Sequence, residues 1–161
     1  MNFPMPEPLF DRLAPHLPQV PAWGCTVVAG VALLAGTGAV AWQHPWLGGG
    51  ILLIGFLADG VGQAIARRMA VTVPAQLPPG LLLVPFGFAL ALPERALAAM
   101  FLMFSLSILT WFTQKRVRLI HWLVALGLLL GCILPDHFSL LAYLLGIACF
   151  TKTGQGVVRR T

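Results

Sequence analysis

Acidic side chains are scarce in this sequence. Five occur in 161 residues, Glu7, Asp11, Asp59, Glu94 and Asp136, against 10 Lys and Arg. Charged residues of both signs make up 9% of the chain, where soluble domains carry about 25%. With 58% hydrophobic residues, a water-soluble monomer would be left with a largely apolar exterior. That excludes the soluble globular class, and disorder with it, and the chain reads as an integral membrane protein. Cysteine is also scarce. Cys25, Cys132 and Cys149 stand singly in apolar runs, with no metal spacing and no disulfide framework, and are read as small packing residues. The N-terminal stretch MNFPMPEPLFDRLAP lacks a basic start and an early apolar core, so no signal peptide is expected.

Charges and prolines punctuate what is there. Leu13 to Ala58 holds no charged residue. It is too long for one span of about 20 residues and suits two. The dipeptide His44-Pro45 is the natural break, which gives spans near 21–42 and 46–66. A third apolar stretch, Met69 to Leu92, holds Pro74, Pro78, Pro79 and Pro85 and is expected to be broken or kinked. After the turn Pro93-Glu94-Arg95, a fourth span runs from Ala96 to Gln114. A fifth runs from Leu119 to Leu134. A sixth follows the turn Pro135-Asp136-His137, from Phe138 to Thr151. The last two are short for a bilayer crossing, and one shallow hairpin is the alternative to two crossings.

Six spans put both ends on one side. That side then carries Arg12, Arg67, Arg68, Lys115, Arg116, Arg118, Lys152, Arg159 and Arg160, and the other carries only Arg95. Lys and Arg accumulate on the cytoplasmic side. The expected architecture is therefore an all-α polytopic membrane bundle of about six short transmembrane helices with both termini cytoplasmic. Residues 1–20 form a proline-rich cytoplasmic leader, 21–152 the transmembrane domain, and 153–161 a basic cytoplasmic tail. The basic excess is a topology signal, and no nucleic-acid partner is expected.

Asp59 is the one acid inside an apolar run. A carboxylate at mid-membrane costs roughly 2.5–3.5 kcal/mol on insertion scales, so such a residue is a functional candidate by default. It lies eight residues before Arg67, which at 1.5 Å per residue is about 12 Å from the cytoplasmic boundary. The run reads Asp59-Gly60-Val61-Gly62-Gln63-Ala64-Ile65-Ala66-Arg67-Arg68. Ala58, Gly62 and Ala66 recur every four residues, a spacing that admits a close neighbouring backbone. Gln63 is one turn from Asp59 and within hydrogen-bond reach, so the carboxylate can be held without a metal.

This stretch resembles the signature of the CDP-alcohol phosphatidyltransferase family. The pattern is Asp, two residues, Asp-Gly, two residues, Ala-Arg, then eight residues, Gly, three residues, Asp, three residues, Asp. Asp59 falls on the first Asp, and Ala66 and Arg67 on the Ala-Arg pair. The span count, the leader, the stretch Val84 to Ala91 and the turn Leu92 to Ala99 are similar to bacterial members. The resemblance implies the six-helix fold, a bacterial inner-membrane location, a place in phospholipid biosynthesis, and dimers, either of two identical chains or with an active relative. In the family, four carboxylates hold two divalent ions on the pyrophosphate of a CDP-linked donor and supply the base; CMP leaves.

This chain departs from the pattern. Gly62 replaces the second Asp and Gln63 its Gly; Gln76, Gly80 and Val84 stand at the remaining positions, and no acid occurs between Gly60 and Pro93. Two ions about 3.5–4 Å apart need bridging anions, and Mg²⁺ wants oxygen ligands in octahedral array. The expectation is a catalytically degenerate member with no metal site and no assigned catalytic residue, Asp59 being the one family aspartate that remains. It keeps phosphate binding to a lipid or nucleotide at Asp59, Gln63, Ala66, Arg67 and Arg68. Mg²⁺ or Mn²⁺ enters only with residual activity. The alternatives are an active enzyme with a reduced site and an accessory membrane subunit.

The other polar residues carry less. His16, His44, His121 and His137 form no ligand pair, and Trp23, Trp42, Trp46, Trp111 and Trp122 sit near span ends as an aromatic belt would. Gly48-Gly49-Gly50 lacks the lysine of a phosphate loop. Ser105 and Ser107 have no base nearby in sequence. Lys115, Arg116 and Arg118 read as a topology-setting loop that can also meet anionic membrane lipids.

Overall fold

A computed structural model describes residues 21–69, 79–112 and 118–158. The described elements are helices: α1 (Ala22–Ala41), α2 (Pro45–Arg68), α3 (Pro79–Ala91), α4 (Ala96–Phe112), α5 (Arg118–Ile133) and α6 (Phe138–Val158). Short 3₁₀ turns, Pro93–Arg95 and Pro135–His137, join α3 to α4 and α5 to α6. Among the described residues there is no strand. Three segments are long and apolar enough to cross a membrane: Trp23–Ala41, Pro45–Arg68 and Pro93–Trp111.

Close contacts fix how the hairpins stand. Near the C-terminal ends of α1 and α3, a Cβ added to Gly87 would lie 2.7 Å from the Thr37 carbonyl oxygen. Near the start of α2, one added to Gly49 would lie 2.9 Å from Cys132 Cβ on the last turn of α5. Phe88 stacks on Phe138 with ring centroids 4.1 Å apart. The three connections, 42–44, 93–95 and 135–137, therefore gather at one end of the bundle, the turn end. Around it the helices contact one another in the order α1, α3, α4, α6, α5, α2, and α2 returns to α1.

The α1–α2 pair is the tightest built. A Cβ on Gly48 would lie 2.5 Å from Val40 Cγ2 and 2.9 Å from Gly36 O, and one on Gly36 would lie 2.7 Å from Leu52 Cγ. Two glycines thus let two backbones approach, as in membrane helix pairs whose association rests on van der Waals packing. The main core draws on all six helices, with Leu33, Leu52, Phe56, Leu81, Val84, Phe88, Leu102, Leu106, Val124 and Leu128 fully buried. Val27, Val31, Leu34, Phe104, Leu144 and Ile147 face outward.

Hydroxyls inside the helices are satisfied locally, as a medium without water requires. Ser105 Oγ donates to Phe101 O (2.7 Å), Thr110 Oγ1 to Leu106 O (2.7 Å) and Thr153 Oγ1 to Cys149 O (2.9 Å). The first connection closes with paired bonds: Gln43 N–H donates to Val40 O at 2.9 Å and His44 N–H to Ala39 O at 3.0 Å. This is a Schellman end with Gln43 at φ 63°, and Pro45 then opens α2.

Helix boundaries agree closely with the expected spans for α1, α2, α4 and α5 as far as the described residues reach, and α6 departs from them. The helix within the expected third span is Pro79–Ala91, with Pro85 inside it. Residues 70–78, with Pro74, Gln76 and Pro78, lie outside the described residues, as do the leader 1–20 and residues 113–117. The expected fourth span ran to Gln114; α4 is described to Phe112, and the last two expected residues lie outside the described residues. The expected sixth span stopped at Thr151, but α6 continues to Val158. No proline interrupts residues 152–158, and the Thr153 hydroxyl folds back onto its own helix. Most of the stretch assigned to the tail is therefore helical.

Gly48→Ala is expected to lower the thermal midpoint in detergent through an overpacking penalty of roughly 1–3 kcal/mol. Gly50→Ala, whose Cβ would meet nothing within 4 Å, should be neutral or stabilising. Equal effects of the two would contradict the close α1–α2 contact. Gln43→Gly should raise the midpoint by relieving about 1 kcal/mol of left-handed backbone strain, measured in the same scan.

Candidate functional site

The last three turns of α2 carry Asp59, Gln63, Ala66, Arg67 and Arg68. The apolar face of this segment is anchored by Ala64 and Ile65, which pack with Cys25 from the start of α1, with Val61, and with Trp122 from the start of α5. This places the segment at the end of the bundle opposite the three turns. Asp59 lies 14 residues beyond Pro45, about 21 Å along the helix. Glu94 and Asp136 sit in the turns and so are held far from Asp59.

Within the segment, Asp59 and Gln63 are half-buried, and Gln63 Nε2 donates to Asp59 Oδ2. Ala66 is 4% exposed and Gly62 is buried, so the small residues face inward. Arg67 is half-buried and Arg68 exposed, both in the final turn. Two cations there complement the partial negative charge of a helix C-terminus. The row Asp59, Gln63, Arg67 follows the i, i+4 spacing along one face. An amide oriented by a carboxylate, followed one turn later by a guanidinium, offers donors to a phosphate oxygen at the helix end.

The divalent ions implied by the resemblance do not fit this residue set. Among the described residues no group of three His, Cys, Asp or Glu could hold a metal ion. Val84, at the position of the family's fourth acid, is fully buried in the main apolar core. Gly62, at the second, is a buried glycine of α2. Glu7 and Asp11 lie outside the described residues; among the described residues the acid at this end of α2 is Asp59.

The remaining candidates disperse. His44 and His137 are exposed in two of the turns. His16, Lys115, Arg116, Arg159 and Arg160 lie outside the described residues, and Lys152 is exposed on α6. Trp42 and Trp46 stand exposed at the turn end, Trp23 and Trp111 at the other, and Trp122 is tucked against α1 and α2. Trp23 to Ala41 spans 19 residues, about 28 Å of helix, close to the hydrocarbon thickness of about 30 Å. Gly48-Gly49-Gly50 is helical, and Gly48 and Gly49 serve packing.

One polar residue has a role that the sequence does not reveal. Arg95, counted only as the lone cation of its side, donates to the Pro135 carbonyl and, through Nη2 at 3.0 Å, to Asp136 Oδ1. Its Nε lies 3.8 Å from Glu94 Oε1. It bridges turns about forty residues apart; the signal available in the sequence is the repeated Leu-Pro-acid at 92–94 and 134–136.

No model of a known protein family, no curated protein and no solved structure matches this chain.

Gln63→Leu leaves a half-buried carboxylate without its amide and is expected to destabilise by about 1–3 kcal/mol. Asp59→Leu with Gln63→Leu should be less harmful than the two single effects summed, as for residues in contact. Strict additivity in a thermal-unfolding cycle would show that the pair does not interact.

Proposed function

We propose that this chain is an inner-membrane protein with both termini cytoplasmic, related to the CDP-alcohol phosphatidyltransferases and without their two-metal chemistry. It binds the phosphate of a lipid or nucleotide at the cytoplasmic end of α2, through Gln63, Arg67 and Arg68, with Asp59 orienting the Gln63 amide. The observation that carries this reading is the Asp59–Gln63 hydrogen bond. The carboxylate at the family's first acid position is engaged by an amide, at the position where the family pattern has a glycine.

The orientation is supported by the gathering of three turns at one end, away from Arg67 and Arg68, and by the bias of basic residues. The exposed tryptophans at both ends fit interfacial anchoring. Membrane lipids are the first partners of such a surface, and phospholipid metabolism is the setting the resemblance implies.

The test has two readouts on the purified full chain. Incubation with CDP-diacylglycerol, candidate alcohols and Mg²⁺ or Mn²⁺ should release no CMP above a metal-free control. CDP-diacylglycerol alone should raise the thermal midpoint, as a ligand of the native state does. Arg67→Ala with Arg68→Ala should remove most of that rise. Metal-dependent CMP release abolished by Asp59→Ala would instead establish an active enzyme with a reduced site. The absence of any thermal shift at high ligand would favour an accessory subunit.

A further inference from the structure

The hairpins α3–α4 and α5–α6 share more than their order. Their turns read Leu92-Pro93-Glu94-Arg95 and Leu134-Pro135-Asp136-His137, each with leucine, proline, an acid and a basic-type residue in the same places. The backbones match. Leu92 has φ −133°, ψ 81° and Leu134 φ −123°, ψ 68°. The residues that open the next helices, Ala96 and Phe138, have φ −56°, ψ −40° and φ −56°, ψ −42°. The hydrogen bonds match as well. Leu92 N–H donates to Phe88 O and Leu134 N–H to Leu130 O; Arg95 N–H donates to Leu92 O and His137 N–H to Leu134 O.

The offset between the two turns can be carried into the helices. It pairs Phe101 of α4 with Tyr143 of α6. These two rings are in contact, with centroids 5.5 Å apart. Contact between equivalent positions is what a two-fold axis produces, since a residue beside the axis meets its own counterpart. The neighbours agree. α4 packs on α6, while the outer helices α3 and α5 lie against α1 and α2 respectively. The turns of both hairpins point the same way, so the axis runs along the bundle, the arrangement of parallel repeats in membrane folds.

We propose that α3–α4 and α5–α6 are two copies of one helix–turn–helix unit, related by a pseudo-two-fold axis between Phe101 and Tyr143, and that Arg95 is the latch that locks the copies together at the turn end. The latch is one-sided. Arg95 of the first unit reaches Pro135 O and Asp136 of the second. The axis carries position 95 to 137, 135 to 93 and 136 to 94. Position 137 therefore faces Pro93 O and Glu94, but carries an exposed imidazole in place of the longer guanidinium.

The symmetry makes this testable on the full-length chain in detergent, by thermal unfolding followed through tryptophan fluorescence. His137→Arg supplies the missing half of the latch and should raise the midpoint by about 2–4 °C. The rise should vanish when the same change is made beside Glu94→Gln, each compared with its own parent. Arg95→His should lower the midpoint, and His137→Arg added to it should restore most of the loss by moving the latch to the other unit. No rise from His137→Arg, or a rise indifferent to Glu94, would overturn the proposal. So would an exchanged pair no more stable than Arg95→His alone. If Arg95→His fails to fold, the His137→Arg arm on the native chain decides the question.

Discussion

A chain with five acids and mostly apolar helices can keep polar groups only where water, a helix backbone or a polar partner meets them. That constraint organises this structure. Each hydroxyl of Thr37, Ser105, Ser107, Thr110 and Thr153 donates to a carbonyl one turn back on its own helix. Asp59 is met by Gln63 one turn on, and Arg95 by the carbonyl and carboxylate of a second turn. The Schellman end at Gln43 closes two carbonyls of α1 within the connection itself. The helices are then free to pack by shape, and glycines at 36, 48, 49 and 87 bring backbones and small groups together without a side chain between them.

The same constraint divides the molecule. One end holds three connections and the Arg95 cluster, which is structural. The other holds the end of α2, where a carboxylate, an amide and two guanidiniums lie within three turns. The proposed phosphate site lies at this second end, with the Gln63 amide and the two guanidiniums. A two-ion mechanism asks for several anionic ligands, and the positions that would supply them in the resembled family are filled by Gly62, Gly80 and Val84. Val84 is committed to the core.

Much of the fold was legible in the sequence because its signals are local. The His44-Pro45 break, the two Pro-acid turns and the Arg67-Arg68 stop set four helices to within a few residues. The Asp59–Gln63 bond followed from helical spacing alone. What was not legible depended on long-range contact or on context. Arg95 looked like a stray cation because its partners come from a turn about forty residues on. The end of α6 looked like a tail because Thr151-Lys152-Thr153-Gly154-Gln155-Gly156 is polar; helix continuation there needs no apolar face. The α1–α2 interlock was also hidden, since Gly36 and Gly48 are unremarkable in sequence until their backbones meet.

The account rests on the three turns sharing one side of the membrane, with the end of α2 on the other. Single-cysteine labelling in intact cells tests this directly, because Cys25, Cys132 and Cys149 are buried. With His44→Cys, Glu94→Cys and His137→Cys, each at an exposed turn position, a membrane-impermeant maleimide should label all three from outside. Met69→Cys, at the exposed end of α2, should label only after the membrane is permeabilised. Labelling of Met69→Cys in intact cells, or a split among the three turn positions, would contradict the arrangement.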